Sequence, residues 1–371
     1  MWQTYFLSIY TTLSLLVSYF IYSQQKKFYT EMMITKKGST TPISIHKEFE
    51  CFSRKDKLSF FWLFLGTFFL FWIRFIIDLI LASILMIGLL YKLAHLKIKG
   101  VVSHEERPSF KSFVNTLTTI FFYVSGILVI EPKPEVEALY KEYFGPDYTI
   151  EYDKNYSSMI CNHISFIDTL MGMRKFACGY LAKASVKNTP IVGSIAISLQ
   201  TVFVDRGDAK DREKVFNQIQ QVQSDFLNGK SATPIMIFPE GTTTSGRDLL
   251  KFKKGAFAAL LPLKPILIKG NSNPNFHHGC GSSDVFINFM RGLTQIVSFI
   301  EYYQLPIMRP TEYMFENYKS YGKEKWEIYA EVAREIYCKI GGFNKSERTL
   351  RDSTRYSNSM DSGKYIEANE E

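Results

Sequence analysis

A short segment of the chain combines two side chains that suit proton transfer. Residues 161–170 read CNHISFIDTL, so His163 and Asp168 stand among residues that are otherwise apolar or small. A neutral imidazole can act as a general base, and a nearby carboxylate can fix its tautomer and stabilise the imidazolium. A spacing of five does not align two side chains on a regular helix, so the pair requires His163 in a loop and Asp168 in the following helix. The alternative is structural, because Ser165-x-x-Asp168 is also a capping-box pattern.

A second polar cluster, FPEGTTTSGR at 238–247, follows an apolar run that predicts a strand. Pro-Glu-Gly predicts a tight turn, and Gly241 lets backbone amides approach a ligand. Glu240 offers a carboxylate to a substrate hydroxyl or to a base, and Thr242 begins a row of hydroxyls. The alternative is an ordinary β-turn with an exposed glutamate.

Cations follow two further predicted strands. Arg206 lies in VFVDRGD at 202–208, and a guanidinium in that place suits a phosphate. The alternative is a surface arginine paired with a neighbouring aspartate. Lys183 ends another predicted strand and is either a phosphate ligand or a solvated lysine.

The elements that must position these residues alternate along the chain. Strands alternating with helices predict an α/β fold with a largely parallel sheet flanked by helices. Because ligands gather at the carboxyl ends of such strands, we expect the polar clusters at one edge. The predicted strands are 156–162, 179–184, 201–204, 233–238 and 264–270. The predicted helices begin near 165 and cover 189–199, 209–229, a stretch near 253–261, and 322–342.

The first residues of the chain predict a membrane anchor. Residues 1–22 carry no charge and are about as long as a bilayer span. They have neither the basic start nor the small-residue cleavage site of a signal peptide, so we expect an uncleaved anchor over 1–23. Lys26 and Lys27 place the following flank on the cytosolic side, and residues 24–57 are interpreted as a cytosolic linker.

A longer apolar block covers 58–96 and has basic residues on both flanks. It exceeds one untilted span, and the positive-inside rule favours entry and return from the cytosol, so we expect a membrane helical hairpin or a re-entrant pair. Arg74 and Asp78 share a helix face and are expected to pair with each other, with a functional intramembrane charge as the alternative. The weaker apolar stretch 112–130 lies in the interface or packs on the domain.

Composition narrows the class of partner. The net charge of +8 in a chain of 371 residues suits a membrane surface or a phosphorylated substrate. The lysines and arginines are scattered, which argues against nucleic acid. The five cysteines are odd in number and form no CxxC, so we expect reduced thiols. His277 and His278 stand in a Gly-, Asn- and Ser-rich loop and are expected to be solvated. Neither a metal nor an organic cofactor is indicated, and the polar tail 345–371 is expected to be disordered.

Taken together and in order, the motifs resemble those of the glycerolipid acyltransferase family. NHISFID is similar to its NHxxxxD motif, VFVDRGD to its second, FPEGTTT to its third, and LPLKPILIKG at 261–270 to its fourth. The segment after FPEGT and FIEYYQLPIMRPTE at 299–312 are similar to the lysophosphatidylcholine and lysophosphatidylethanolamine acyltransferase branch. The insert at 270–289 departs from that pattern.

The resemblance implies an acyltransferase domain over 112–344 that moves an acyl chain from acyl-CoA, as co-substrate, to the free hydroxyl of a lysophospholipid. His163 would take the hydroxyl proton, Asp168 would orient the imidazole, and Arg206 would hold the acceptor phosphate. The residues expected to complete substrate binding are Glu240, Gly241, Thr242 and, for phosphate or CoA, Lys183. The expected location is a membrane, the endoplasmic reticulum, with the domain facing the cytosol. The alternatives are a glycerol-3-phosphate or lysophosphatidate acyltransferase, and an inactive membrane-anchored protein that binds lipid or a partner.

Overall fold

A seven-stranded sheet organises the chain. The computed structural model describes residues 2–35, 41–54, 56–99, 104–189, 192–204, 209–271, 276–279, 281 and 283–364. Its α-helices are, in chain order, α1 Trp2–Lys26, α2 Ile45–Glu48, α3 Phe60–Gly66, α4 Trp72–Lys99, α5 Arg107–Val124, α6 Glu137–Phe144, α7 Ile167–Phe176, α8 Val192–Ser198, α9 Ala209–Leu227, α10 Val285–Leu293, α11 Glu312–Asn317, α12 Lys325–Gly341 and α13 Leu350–Ser362. Its strands are β1 Met33–Ile34, β2 Ile43–Ser44, β3 Ile127–Ile130, β4 Ser158–Cys161, β5 Gly179–Lys183, β6 Val202–Val204, β7 Ile235–Ile237, β8 Asp248–Leu250, β9 Leu263–Asn271, β10 Ser298–Gln304 and β11 Asn344–Ser346.

The main sheet has the strand order β3-β10-β9-β4-β7-β5-β6. The five strands from β9 to β6 are parallel, whereas β10 is antiparallel to β9 and parallel to β3. Strands β4 and β7 are buried on both faces, as expected of central strands in a sheet covered by helices. The predicted α/β class with a largely parallel sheet is therefore confirmed.

The core lies on both faces of this sheet. Neighbouring residues of one strand point to opposite faces, so Ile160 packs in the cluster under α12 while Met159 packs in the cluster under α5 and α7. The predicted strands and the helix at 322–342 correspond to observed elements, but the helix near 253–261 is wrong. A single 3₁₀ turn at Lys254–Ala256 replaces it, because the chain must straighten before Pro262 to enter β9.

The apolar block after residue 58 is one helix rather than the predicted hairpin. The chain is helical from Phe60 to Lys99, passing through a π-helical stretch at Thr67–Phe71. Its glycines bring it close to the domain instead of reversing it, since a Cβ on Gly66 would lie 2.1 Å from the carbonyl oxygen of Thr294. By length and composition, two described helices could cross a membrane, Trp2–Lys26 and Phe60–Tyr91.

The charges within this helix contact the domain rather than pairing with each other as predicted. Arg74 donates to the carbonyl oxygen of Ile296 at 2.9 Å and to that of Gln295. Asp78 accepts a hydrogen bond of 2.8 Å from the Ser125 hydroxyl. The stretch 112–130 supplies most of α5 and strand β3, so it packs on the domain.

The expected linker and the expected disordered tail fold onto each other. Phe28 and Phe49 come from the first segment and Tyr356 from the second, and all three rings are buried in one cluster. Strand β11 also pairs in parallel with β8. The prediction of a disordered tail is therefore wrong for the described residues of 345–371, because contacts across the whole chain, rather than local composition, order this segment. The linker at 24–57 is packed in the same cluster, and its cytosolic location stays a prediction. Residues 36–40, 55 and 365–371 lie outside the described residues.

Candidate active site

The loop that carries His163 leaves the sheet at a fixed point. Strand β4 ends at Cys161, and the side-chain amide of Asn162 then continues the ladder to β9. Its Nδ2 donates to the carbonyl oxygen of Ile268 and its Oδ1 accepts from the Ile268 amide, both at 2.8 Å. The sequence alone does not single out this role of Asn162, although an asparagine placed between a strand and a histidine is the available signal.

His163 and Asp168 meet as predicted. The His163 Nδ1 and Asp168 Oδ2 atoms are 2.8 Å apart, and the carboxylate side chain is fully buried. The same oxygen accepts from the backbone amides of Ile164 at 2.6 Å and Ser165 at 2.9 Å. Asp168 therefore contacts the imidazole and also accepts from amides of the turn before α7, although Phe166 rather than Ser165 is the N-cap residue and has no side-chain cap. The catalytic role of the pair stays a prediction. A proton on Nδ1 directed at the carboxylate leaves the lone pair on Nε2.

An aromatic stack holds the imidazole in its plane. The rings of His163 and Phe238 lie nearly parallel with centroids 4.0 Å apart, and the ring of Tyr180 is parallel to Phe238 with centroids 6.1 Å apart. The side chain of His163 nevertheless keeps 21% of its surface exposed, so a substrate hydroxyl can reach it. The sequence marks Phe238 only as the residue before a turn.

Glu240 supports the His163 backbone and is not a substrate ligand in this structure. It is 1% exposed, and its Oε1 and Oε2 accept from the amides of His163 at 2.8 Å and Leu250 at 2.9 Å. Burial raises the pKa of Glu240 to about 8, although the two amide hydrogen bonds oppose that rise. The predicted contact with substrate is wrong because both carboxylate oxygens are occupied inside the protein.

The turn after Glu240 also donates a hydrogen bond to the backbone of His163. The Thr244 amide donates to the His163 carbonyl oxygen at 3.0 Å. Gly241 has a positive φ of 73°, and a Cβ there would lie 2.4 Å from the Lys253 ammonium. The lysine stem therefore crosses the turn, a contact that the sequence does not reveal. Gly241 and Thr242 are half-buried, and their contact with substrate stays a prediction.

Of the two predicted cations, the structure describes only Lys183. Lys183 is exposed at the carboxyl end of β5, opposite Val204 of β6. Arg206 falls in 205–208, outside the described residues, two positions after the end of β6. The phosphate-binding roles of both remain predictions.

The histidine pair of the insert is buried, not solvated as predicted. His277 and His278 are 8% and 3% exposed because the insert packs against the segment around Arg54 and Asp56. The His277 amide donates to Asp56 Oδ2 at 2.9 Å, and Arg54 pairs with the same oxygen at 2.6 Å. Burial lowers the pKa of His277 to about 4 and that of His278 to about 3.

The described residues contain no group of three or more His, Cys, Asp or Glu side chains placed to hold a metal ion. The described cysteines are free thiols, as predicted: Cys51, Cys161, Cys178 and Cys338. Cys280 lies outside the described residues.

Comparisons with known proteins agree with the motifs. The Acyltransferase family model matches residues 152–269. The lysophospholipid acyltransferase LPEAT1 of Arabidopsis thaliana is 31% identical over 200 residues, which are 54% of this chain and 48% of that protein. The lysophosphatidylcholine acyltransferase of Drosophila melanogaster is 26% identical over 195 residues, 52% of this chain and 34% of that protein. The match thus spans about half or less of these relatives.

A crystal structure is also similar, that of the 1-acyl-sn-glycerophosphate acyltransferase PlsC from Thermotoga maritima. It covers 71% of this chain and 96% of that chain with a TM-score of 0.40 and 15% sequence identity. The matched family model contains the His163–Asp168 pair and the FPEGT turn at the carboxyl edge of the sheet. Residues 152–269 therefore match the Acyltransferase family, and the similar sequences belong to proteins named as lysophospholipid or lysophosphatidylcholine acyltransferases.

Proposed function

We propose that this protein is a membrane-bound acyltransferase that moves a fatty acyl chain from acyl-CoA to the free hydroxyl of a lysophospholipid. The observation that carries the proposal is the contact of 2.8 Å between His163 Nδ1 and Asp168 Oδ2, which leaves Nε2 of a partly exposed imidazole free to accept a proton. The names of the relatives support the choice of a lysophospholipid as acceptor.

In the proposed reaction, His163 Nε2 takes the proton of the acceptor hydroxyl as its oxygen attacks the thioester carbonyl carbon. The new C–O bond forms, the C–S bond breaks, and the CoA thiolate leaves with the proton from the imidazolium. Asp168 stabilises that imidazolium. The transfer is direct, because Ser165 is buried and its hydroxyl accepts from the Ile167 amide at 3.2 Å.

The anionic parts of both substrates need cations at the same edge. Arg206 is proposed to bind the acceptor phosphate, because it follows the last residue of β6 by two positions in the sequence and carries a guanidinium. Lys183 is proposed to bind a phosphate of the acceptor or of CoA, and the turn at Gly241 and Thr242 to line the pocket. Exposed phosphate contacts of this kind raise affinity more than they change the chemical step.

The long apolar helix supports membrane binding with the helix in the plane of the bilayer. Its 32 residues from Phe60 to Tyr91 extend about 48 Å. It follows the domain closely, from Gly66 beside Thr294 to Gly88 beside Phe113. The apolar residues on its outer face recur at steps of three or four: Phe69, Ile73, Ile76, Ile80, Ile84, Ile87 and Tyr91.

A perpendicular crossing would carry the polar surface of α5 into the hydrocarbon. Lys111 and Ser112 are exposed next to Phe113, which packs on the far end of the long helix. Burying such groups in lipid is costly, whereas an apolar stripe facing one leaflet is favourable. We therefore propose that the domain docks on the cytosolic leaflet of the endoplasmic reticulum, where acyl-CoA is available. Glycosylation of the Asn155 or Asn344 sequon in cells would contradict this orientation.

An acceptor panel tests the function. Membranes containing the protein receive labelled oleoyl-CoA with lyso-PC, lyso-PE, lyso-PS, lysophosphatidate or glycerol-3-phosphate, and labelled lipid and free CoA thiol are measured. Product with lyso-PC, lyso-PE or lyso-PS supports the proposal and names the head group. Product with glycerol-3-phosphate or lysophosphatidate alone would favour the alternative acceptors. Absence of product with every acceptor would favour a binding protein.

A further inference from the structure

A buried arginine far from the motifs joins two short strands next to the site. Arg334 projects from α12 and is 1% exposed. Its Nη2 donates to the carbonyl oxygens of Leu249 in β8 at 2.9 Å and Ser346 in β11 at 2.7 Å. One guanidinium therefore fixes the parallel pairing of β8 with the C-terminal strand.

Strand β8 is in turn bonded to the site. The amide of Leu250 donates to Glu240 Oε2 at 2.9 Å, and Glu240 Oε1 accepts from the His163 amide at 2.8 Å. A movement of β8 would therefore pull on Glu240 and on the backbone of the general base. The path from Arg334 to His163 runs through three residues, Leu249, Leu250 and Glu240, and all of them are described.

Charge supports the same link. Glu240 accepts two N–H groups best as a carboxylate, and the positive charge of Arg334 lowers the pKa of Glu240 against the effect of burial. Asp168 raises the pKa of Glu240. The other titratable groups that face Glu240 are Cys161 on β4 and Tyr337 on α12, and both are fully buried.

We propose that Arg334 is a positioning residue of this site, which acts on His163 through β8 and Glu240 and makes the C-terminal strand part of the catalytic support. This inference rests on the proposed acyltransferase function. It assigns a role to a residue outside every motif.

A double-mutant cycle tests the path. Arg334→Met is expected to lower kcat about 10-fold while KM for both substrates changes less than about 2-fold, because the base moves and the binding cations do not. Arg334→Lys, which keeps the charge but cannot bridge two carbonyls equally well, is expected to lose about 3-fold. Adding Arg334→Met to Glu240→Gln is expected to cost nothing further. Multiplicative losses would overturn the proposal.

Amide hydrogen exchange gives a readout that needs no substrate, so it separates this proposal from the proposed function. In Arg334→Met, the peptide containing the His163 amide is expected to exchange at least about 5-fold faster, as in Glu240→Gln. Arg309→Met is the matched control, since Arg309 also bridges backbone segments but contacts Glu151 and Asn155. Faster exchange in β8 and β11 with an unchanged His163 peptide would overturn the proposal. If Arg334→Met unfolds, exchange of the His163 peptide is compared between Arg334→Lys and the wild type instead.

Discussion

Two regions of the molecule differ in how far apart in the sequence their contacting residues lie. One is the carboxyl edge of the sheet, and the other is a shell in which Phe28 and Phe49 pack on Tyr356 of α13. At the edge, the decisive contact joins His163 to Asp168, five positions apart. In the shell, Phe49 packs on Tyr356 with ring centroids 5.7 Å apart, although the two residues lie at opposite ends of the chain. Proton-transfer chemistry can therefore be read from a short motif, whereas the support around it depends on contacts that no local pattern specifies.

Removing the charge of Asp168 should have a larger effect on transfer than any change outside the His163–Asp168 pair. In Asp168→Asn, we expect kcat to fall by about 10²- to 10⁴-fold, because the imidazole loses the carboxylate that orients it and stabilises its protonated form. The measurement is steady-state transfer to the accepted lysophospholipid. Asp225→Asn, a substitution in α9 outside the site, is the control and should keep the wild-type kcat. A loss under about 5-fold in a folded protein would mean that the pair is mainly a helix cap.

A substitution in the shell should lower the free energy of unfolding of the protein. Tyr356 is fully buried and its hydroxyl lies 3.0 Å from His46 Nδ1. Tyr356→Ala is expected to lower the free energy of unfolding by about 3 kcal/mol. Denaturant unfolding measures this, with Arg351→Ala on the exposed face of α13 as control. Unchanged stability would mean that the tail is not packed in solution.

Lowering the pH should destabilise the protein through the buried side chain of His278 in the insert. The pKa of His278 is lowered to about 3, so the unfolded chain binds a proton from about pH 6.5 downward while the folded chain does not. Its contribution to stability is therefore lost as the pH falls below 6.5. Between pH 7 and pH 5, the wild type should lose about 2 kcal/mol more than His278→Gln. Parallel losses in the two proteins would show that His278 is solvated.

The smallest effect on transfer is expected from Lys183, which is exposed at the carboxyl end of β5. Lys183→Ala should raise KM for one substrate about 3-fold and leave kcat and stability unchanged, because the side chain is exposed. Lys187→Ala, one turn further along, is the control. Measuring KM separately for acyl-CoA and for the acceptor assigns the phosphate. A fall in kcat would place Lys183 at the reacting atoms.

The sequence predicts the features that rest on a periodic pattern or on residues close together in the chain. Alternating strands and helices predict the parallel sheet, and the strand ends predict the edge at which His163 and Glu240 meet. The depth at which Glu240 is buried depends on Leu250 and β8, which lie outside the FPEGT motif. The hairpin prediction failed because length alone cannot distinguish two spans from one helix docked along a domain.

Transfer by the purified protein with and without the His163 imidazole tests whether this side chain is the general base. Labelled acyl-CoA and the accepted lysophospholipid are offered in vesicles to the wild type, His163→Ala and the control His104→Ala, which alters an exposed histidine. We expect His163→Ala to lose at least about 10³-fold in kcat with normal folding and membrane binding, and His104→Ala to match the wild type. Transfer at the wild-type rate by folded His163→Ala would show that His163 is not the general base.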